Sequence, residues 1–425
     1  MANDRRLASK IKAQLTKFAS QISAGLSAPM ARFVTQMLYG IQAAGDVKLS
    51  NIARSLNESI RLIKTENRLS RNLASQDLTE HVNERLVKES VWRIGEDTVL
   101  AIDPGDLTKK HAKKMENMAT VRDGSEGDLS KGYWLCSVVA AAVCSSLVTP
   151  LWGELYSCEA EGFKSENAKI LSLIGSITKH IGRAGIWTID RGGDRIKLIL
   201  ELLKRDLRFV IRQRGDRHLL DQRGRKLSCE EIARRCPRRT TVRIELRKDA
   251  QFRRLEISIG ARRVRLPKRP DDQLLLVVIR GFGQSPVMLL TNLDMKVKRT
   301  DLVRLMQIYL TRWKCEESYR FIKQAYNLED VRVRSYVALR NTVALVQAVF
   351  WFVAVRLGQR TKLEALLRQV LERAQRFFEI PSFFYYAVAD GLERILSVVR
   401  TPLEPPPRPY KCHQQYLPLF SAAGS

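Results

Sequence analysis

From the N-terminus to about position 92, apolar residues recur every three or four positions, in stretches such as IKAQLTKFASQI and FVTQMLYGIQAA, and strand-type alternation is nearly absent. This pattern predicts a helical region over 1–92. Within it, VKLSNIARSLNESIRLIKTENRLSRNLA reads as two helices joined by a turn, with Ser50 expected to cap the first and Asn57 or Ser59 the second. Such a pair fits a DNA-reading helix-turn-helix or a plain three-helix bundle.

The period changes from about residue 93. TVLAID, GYWLCSVVAAAV and LVTPLWGELYS predict three consecutive strands, NAKILSLIGSITKHI a helix, IWTID a short buried strand, IKLILELLKRD a helix after a Gly-Gly turn, and RFVIRQR a closing strand. Three antiparallel strands followed by alternating helix and strand imply a layered α/β domain with a mixed sheet over 93–214. Residues 215–280 interrupt it with TVRIELRK, FRRLEISIG and ARRVRLP, short strands whose polar face is largely arginine. DQLLLVVIRG and PVMLLTN return to buried-strand character, so that 281–330 completes the domain, with Thr300 or Asp301 expected to cap its helix. Helix is expected to continue over 331–400 with a break near Ile380 and Pro381, and the proline-rich 401–425 to lie extended.

Composition narrows the partners. Lys and Arg number 73 against 45 Asp and Glu, a net charge of +28, which points to a polyanion and first to nucleic acid. Between Lys204 and Arg269 alone stand 23 basic residues against 8 acidic ones, where a phosphate backbone gains most. The longest uncharged apolar run, Asn341 to Val355, is shorter than the roughly 20 residues of a spanning helix and reads as a buried one, so no membrane partner is expected. The opening MANDRRLASK has no export pattern, and a cytoplasmic, nucleoid-associated protein is expected. Seven scattered cysteines without a C-x-x-C pair read as reduced, mostly buried thiols.

Candidate chemistry rests on carboxylates. Asp103 ends TVLAID and Asp190 ends IWTID, and strand ends are where α/β sheets place their sites. The sharper signal is IYLTRWKCEESYRFIKQ, in which Tyr309, Arg312, Glu316 and Lys323 fall within an arc of about 60° on one helix, whereas Glu317 turns about 100° away from Glu316. A tyrosine, two cations and a carboxylate on one stripe suit phosphate binding beside a metal ligand. An exposed charged face with an Arg312 to Glu316 pair is the plainer alternative.

The spacing Y-x2-R-x3-E-x6-K, here Tyr309, Arg312, Glu316 and Lys323, resembles the signature of a large group of bacterial insertion-sequence transposases within the DDE superfamily. DRGGD, Asp190 to Asp194, resembles the D-R-x-x-D pattern around that group's second Asp. The resemblance spans about residues 95 to 330. It implies an α/β fold with an RNase H-like mixed-sheet catalytic domain, a basic β-rich insertion between Asp190 and Glu316, and flanking helical regions, the N-terminal one binding DNA. It further implies that Asp103, Asp190 and Glu316 hold Mg2+ or Mn2+, two ions about 3.5 to 4 Å apart, for cleavage at transposon ends and transfer of the freed 3′-OH into target DNA. Tyr309, Arg312 and Lys323 would grip the phosphate near the end, with Arg191 and Asp194 in support and Lys109, Lys110 and the insertion holding the backbone. Partners would be double-stranded transposon-end and target DNA, bound by a homodimer that pairs two ends.

Two departures stand out. Relatives that open ends through a hairpin stack an insertion tryptophan on a flipped base, yet no Trp lies between Trp187 and Trp313; Phe209, Phe252 and Phe282 are the aromatic alternatives. Asp103 is followed by Pro104, Gly105 and Asp106 rather than hydroxyl residues, which makes Asp106 a rival first ligand. Another RNase H-like nuclease, such as a junction resolvase, and a catalytically dead DNA-binding derivative are the competing functions.

Overall fold

The computed structural model describes residues 2–124, 127–248, 251–357, 383–398 and 403. The expected break near Ile380 and Pro381 and, apart from Leu403, the proline-rich tail lie outside them. Every run read as a strand in 93–214 forms one: β1 (Val99–Thr108), β3 (Leu129–Ala141), β4 (Thr149–Tyr156), β5 (Ile186–Ile189) and β6 (Phe209–Arg212), with an unanticipated β2 (Ala119–Arg122) hairpinned onto β3. β3 runs antiparallel to β1 and β4, whereas β5 is parallel to β1 and β6 parallel to β5. Parallel strands covered on both faces have no solvent side, which is why VLAI, IWTI and FVI are buried throughout and apolar except at Thr188. The order β4-β3-β1-β5-β6 is the RNase H-like one that the resemblance implied.

Helices cover both faces. α6 (Glu166–Ile181), capped by Ser165 on Ala168 N, and α7 (Ile196–Lys204) bury Ile174, Ile177, Leu198 and Leu202 against Leu100, Ile102, Cys136 and Trp187. The opposite face, through Ala101, Leu135, Val139 and Leu155, receives helices from both ends of the chain: α1 (Ala2–Ile22), α2 (Ala28–Ala44), α3 (Leu49–Leu56), α4 (Leu62–Ser75) and α5 (Thr79–Ser90), with α10 (Trp313–Ala325), α11 (Tyr336–Trp351) and α12 (Tyr385–Val398). Phe18 of α1 stacks on Trp351 at 4.9 Å between ring centroids, and the indole donates to Ser90 Oγ at 2.8 Å. The apolar stretch Tyr336–Arg356 is long enough to cross a membrane, but 89% of its most apolar 18 residues are buried within this fold.

After β6 the chain continues the same sheet. β7 (His218–Leu220), β8 (Lys226–Ser228), β9 (Thr240–Lys248), β10 (Gln251–Leu266), β11 (Arg269–Arg280) and β12 (Val287–Thr291) extend it, β12 pairing antiparallel with β6. The runs FRRLEISIG and ARRVRLP, expected as separate strands, form one long β10 because Gly260 continues the ladder beneath the backbone of Pro237. Between β8 and β9 lies an unanticipated short helix, α8 (Cys229–Arg234), with a reciprocal cap between Ser228 and Glu231. α9 (Arg299–Thr311) packs over this part through Leu302, Leu305 and Met306.

Three capping expectations change. α3 starts at Leu49 behind Lys48, Asn57 closes α3 in a left-handed conformation instead of opening α4, and α9 starts behind Lys298, with Asp301 in its first turn accepting from Lys296 N. Because both chain ends share one core with the sheet, Trp351→Ala should cost about 3–5 kcal/mol and lower a single thermal transition. Two separated transitions in calorimetry would show that the helical ends fold independently of the sheet.

Candidate active site

The parallel register of β1 and β5 ends at Ile102 opposite Ile189, so Asp103 and Asp190 are the next residues on adjacent strands. Asp190 closes β5 as expected. Asp103 stands in mid-strand, because β1 runs on to Thr108 paired with β3, with Asp103 opposite Ser137. The turn after β5 is held locally: Asp190 Oδ1 accepts from Gly192 N at 2.7 Å, and a Cβ on Gly193 would lie 2.4 Å from Ile189 Cγ2, so only glycine lets the chain fold back there.

Tyr309, Arg312, Glu316 and Lys323 do not share one straight helix. α9 ends at Thr311 and α10 begins at Trp313, so the signature crosses a junction at Arg312, whose N–H reaches back to Tyr309 and whose carbonyl accepts from Cys315. The junction buries Tyr309 and Arg312 and exposes Trp313. The Arg312 guanidinium lies 5.7 Å from the Tyr309 ring centroid, donates to Glu316 Oε1 at 2.6 Å and stands 3.8 Å from Asp103 Oδ1. Lys323, two turns on, instead meets Asp106 at 3.3 Å and Glu329 at 2.8 Å.

α10 can approach β1 because Gly105 has no side chain: a Cβ there would lie 2.7 Å from Tyr319 Cζ. Cys315 Sγ, buried between helix and sheet, contacts Ser137 O at 3.6 Å. Sequence reasoning missed Tyr319, Ser137 and Cys315. Gly105 directly after Asp103 and Pro104 was the available signal.

Charge explains the grouping. Burial pushes the Asp103 carboxyl up to about 7; Arg312 opposes this, while Asp190 and Glu316 add to it by repulsion. For Arg312, burial alone would weaken the cation, but Asp103, then Tyr309 and Glu316, hold it above its ordinary value. Glu317 interacts with Lys314 and Tyr386 instead, as its helical angle predicted. Asp106 is engaged by Lys323 and by Gly124 N at 3.1 Å, and it is Asp103 that feels the other two carboxylates.

Among the described residues no three acidic, His or Cys side chains stand at metal-ligating separations. Arg312 bridges Asp103 and Glu316 where a cation would be drawn. The donor set nevertheless suits a hard divalent ion, since it consists of carboxylate oxygens whose mutual repulsion a cation relieves. Ser137 Oγ, opposite Asp103, and Tyr319 OH, beside Gly105, are buried without partners among the described residues.

The remaining candidates divide. Arg191 is exposed on the turn after Asp190 and its carbonyl accepts from Arg214 Nε. Asp194 is buried, accepting from Arg214 N at 2.8 Å and pairing with Arg217, and so braces that turn against the chain beyond β6. Lys109 is buried, with its ammonium donating to the carbonyls of Glu329 and Val331. Lys110 is exposed and pairs with Asp123 at 3.3 Å. Phe209 lies fully in the core and has no face for a base, the Phe252 side chain is outside those described, and Phe282 lines a cleft with Tyr309 and Trp313. Of the cysteines, Cys136, Cys229, Cys236 and Cys315 are buried and Cys144 and Cys158 exposed, all free; Cys412 lies outside the described residues.

A family model described as a transposase DDE domain matches residues 146–352. The chain carries a transposase DDE domain. The matched stretch of this DDE domain includes Asp190, Arg312, Glu316 and Lys323 and begins beyond Asp103, whose place beside Asp190 rests on the strand register. No curated protein matches the sequence. Among solved structures, a cryo-EM structure of a piggyBac transposase synaptic complex with hairpin DNA is similar at 11% identity, over 91% of this chain and 77% of that one, with a TM-score of 0.44. The strand order β4-β3-β1-β5-β6, not that likeness, carries the fold assignment.

The folded chain keeps Asp103 protonated to about pH 7, whereas the unfolded chain releases that proton near the ordinary value of 3.8. The folded state thus binds the extra proton between these values, and the contribution of Asp103 to stability falls as pH rises from about 4 to about 7 and is level above it. In metal-free protein Asp103→Asn should flatten the fall in melting temperature across that window. An unaltered slope would show that another group titrates.

Proposed function

We propose that this chain is a cut-and-paste DNA transposase that cleaves at transposon ends and joins the freed 3′-OH to target DNA. The observation that carries the reading is the grouping of three carboxylates, Asp190 next to Asp103 on adjacent strands and Arg312 between Asp103 and Glu316, in a chain with a transposase DDE domain. Asp103, Asp190 and Glu316 would hold two Mg2+ or Mn2+ ions, which when bound activate the attacking oxygen and stabilise the leaving one. In the first step water attacks phosphorus, the bond to the transposon 3′ oxygen breaks, and the flanking strand keeps the phosphate. In the second, that 3′-OH attacks a target phosphodiester and releases a target 3′-OH.

Arg312 has Nε and Nη1 without hydrogen-bond partners among the described residues, as has the Tyr309 hydroxyl, which leaves donors for phosphate oxygens. Lys323, Arg191 and Lys110 would add positive charge along the strand, and the arginine-bearing faces of β9 and β10 would hold the backbone of double-stranded DNA. The enzyme would act in the cytoplasm as a homodimer on paired ends.

Glu316→Gln should lower Mg2+-dependent cleavage and strand transfer of a pre-cleaved end by at least about a thousandfold while DNA binding stays within a few-fold, and Glu317→Gln should be mild. The reverse ranking would move the site to Glu317. Cleavage without joining would make the chain another kind of nuclease, and neither activity in the parent chain would mark it as a DNA-binding derivative.

A further inference from the structure

We propose that Arg312 is an exchangeable counter-ion: it engages the carboxylates until a DNA phosphate draws it away, so that phosphate and divalent ion enter the site cooperatively. That the phosphate belongs to DNA and the ion to phosphodiester chemistry rests on the transposase reading; the exchange rests on the contacts of Arg312 itself.

Arg312 is built into the junction between α9 and α10. Only 5% of its side chain is exposed, and its guanidinium stands 5.7 Å from the centroid of the Tyr309 ring and 5.6 Å from that of Trp313. Tyr309 is buried and Trp313 is 54% exposed, so the cation is held between the core and an open edge. Nη2 donates to Glu316 Oε1 at 2.6 Å, and Nη1 lies 3.8 Å from Asp103 Oδ1. One guanidinium thus serves two carboxylates, both of them more open than it is, with 32% of the Glu316 side chain and 21% of the Asp103 side chain exposed.

A hard divalent ion and this guanidinium compete for the same oxygens. An ion shared by Asp103 and Glu316 would stand beside the cation that bridges them, and two positive charges a few ångströms apart repel. Arg312 therefore has to turn away before the carboxylates can hold an ion, and it has donors to turn with. Nε and Nη1 are buried without hydrogen-bond partners among the described residues, as is the Tyr309 hydroxyl on the same junction. Buried donors without acceptors are costly, and a phosphate matches a guanidinium fork with two oxygens at once.

No second cation stands ready to take over. Among the described residues Glu316 and Asp103 pair with Arg312 alone, and Lys323, on the same helix, is taken by Asp106 at 3.3 Å and Glu329 at 2.8 Å. When Arg312 moves to a phosphate, the carboxylates lose their balancing charge and their affinity for a divalent ion rises. Each ligand favours the arrangement that the other needs, and linkage makes the effect reciprocal.

The test measures Mn2+ affinity of the full-length chain, from loss of the free-ion electron paramagnetic resonance signal, with and without a saturating pre-cleaved duplex of the terminal repeat that flanks its gene. The parent chain should bind Mn2+ about 5- to 150-fold more tightly with the duplex present, and the duplex more tightly by the same factor with Mn2+ present. In Arg312→Gln that factor should fall below about threefold, with the affinity for Mn2+ in the absence of DNA rising towards that of the parent bound to duplex. A phosphate that merely ligates the ion would leave the factor as large in Arg312→Gln as in the parent, and that result overturns the proposal. So does a parent chain that binds Mn2+ equally with and without duplex, an outcome independent of whether the variant folds. Glu317→Gln, one residue beyond the bridge, should keep the parental factor, and its loss there would also overturn the exchange. Strand transfer by a parent chain that shows no coupling would keep the transposase reading and sink the exchange, whereas coupling in a chain that never joins DNA would do the reverse.

Discussion

Asp190 on the strand beside Asp103 and Glu316 on the helix above them disfavour charge on Asp103, and the Arg312 guanidinium, set between Asp103 and Glu316, opposes that. It donates to Glu316, faces Asp103, and is itself kept charged by them although buried. Around this pair the other features fall into order. The junction between α9 and α10 turns Arg312 inward, Gly105 admits α10 onto β1, and the parallel register sets Asp190 beside Asp103. Arg312 is buried while Asp103 and Glu316 are half-buried, so taking the carboxylates away would leave the guanidinium uncompensated.

The rest of the molecule supports that arrangement. The face of the sheet that receives α10 is completed by helices from both ends of the chain, so residues far apart in sequence share one apolar core. The basic strands are continuous with the catalytic sheet through β12 and β6, which makes the insertion an extension of the same platform.

Much of this was legible in the sequence. Continuous apolar runs ending in Asp103 and Asp190 marked parallel strands and their neighbouring carboxylates, and the structure turns Glu316 to Arg312 and Glu317 to Lys314 and Tyr386. What was hidden depended on tertiary contact. The break at Arg312 follows from burying a guanidinium under a tyrosine ring, which helical periodicity does not encode. Lys109 looked like one more cation in a basic loop, yet two backbone carbonyls more than two hundred residues away claim its ammonium. Capping residues were misplaced because Lys48, Arg61 and Lys298 occupy N-cap positions without a side-chain cap, so the usual hydroxyl or carboxylate marker was missing.

The amide of Asn341 has a mechanical meaning. It fastens the end of α4 to α11, and α11 is seated on the sheet that carries Asp103. No tether of adjustable length lies between them. The helix pair at the start of the chain and the carboxylates are therefore held at a set offset and angle, like two fittings bolted to one bed, and neither can shift without straining the sheet between them.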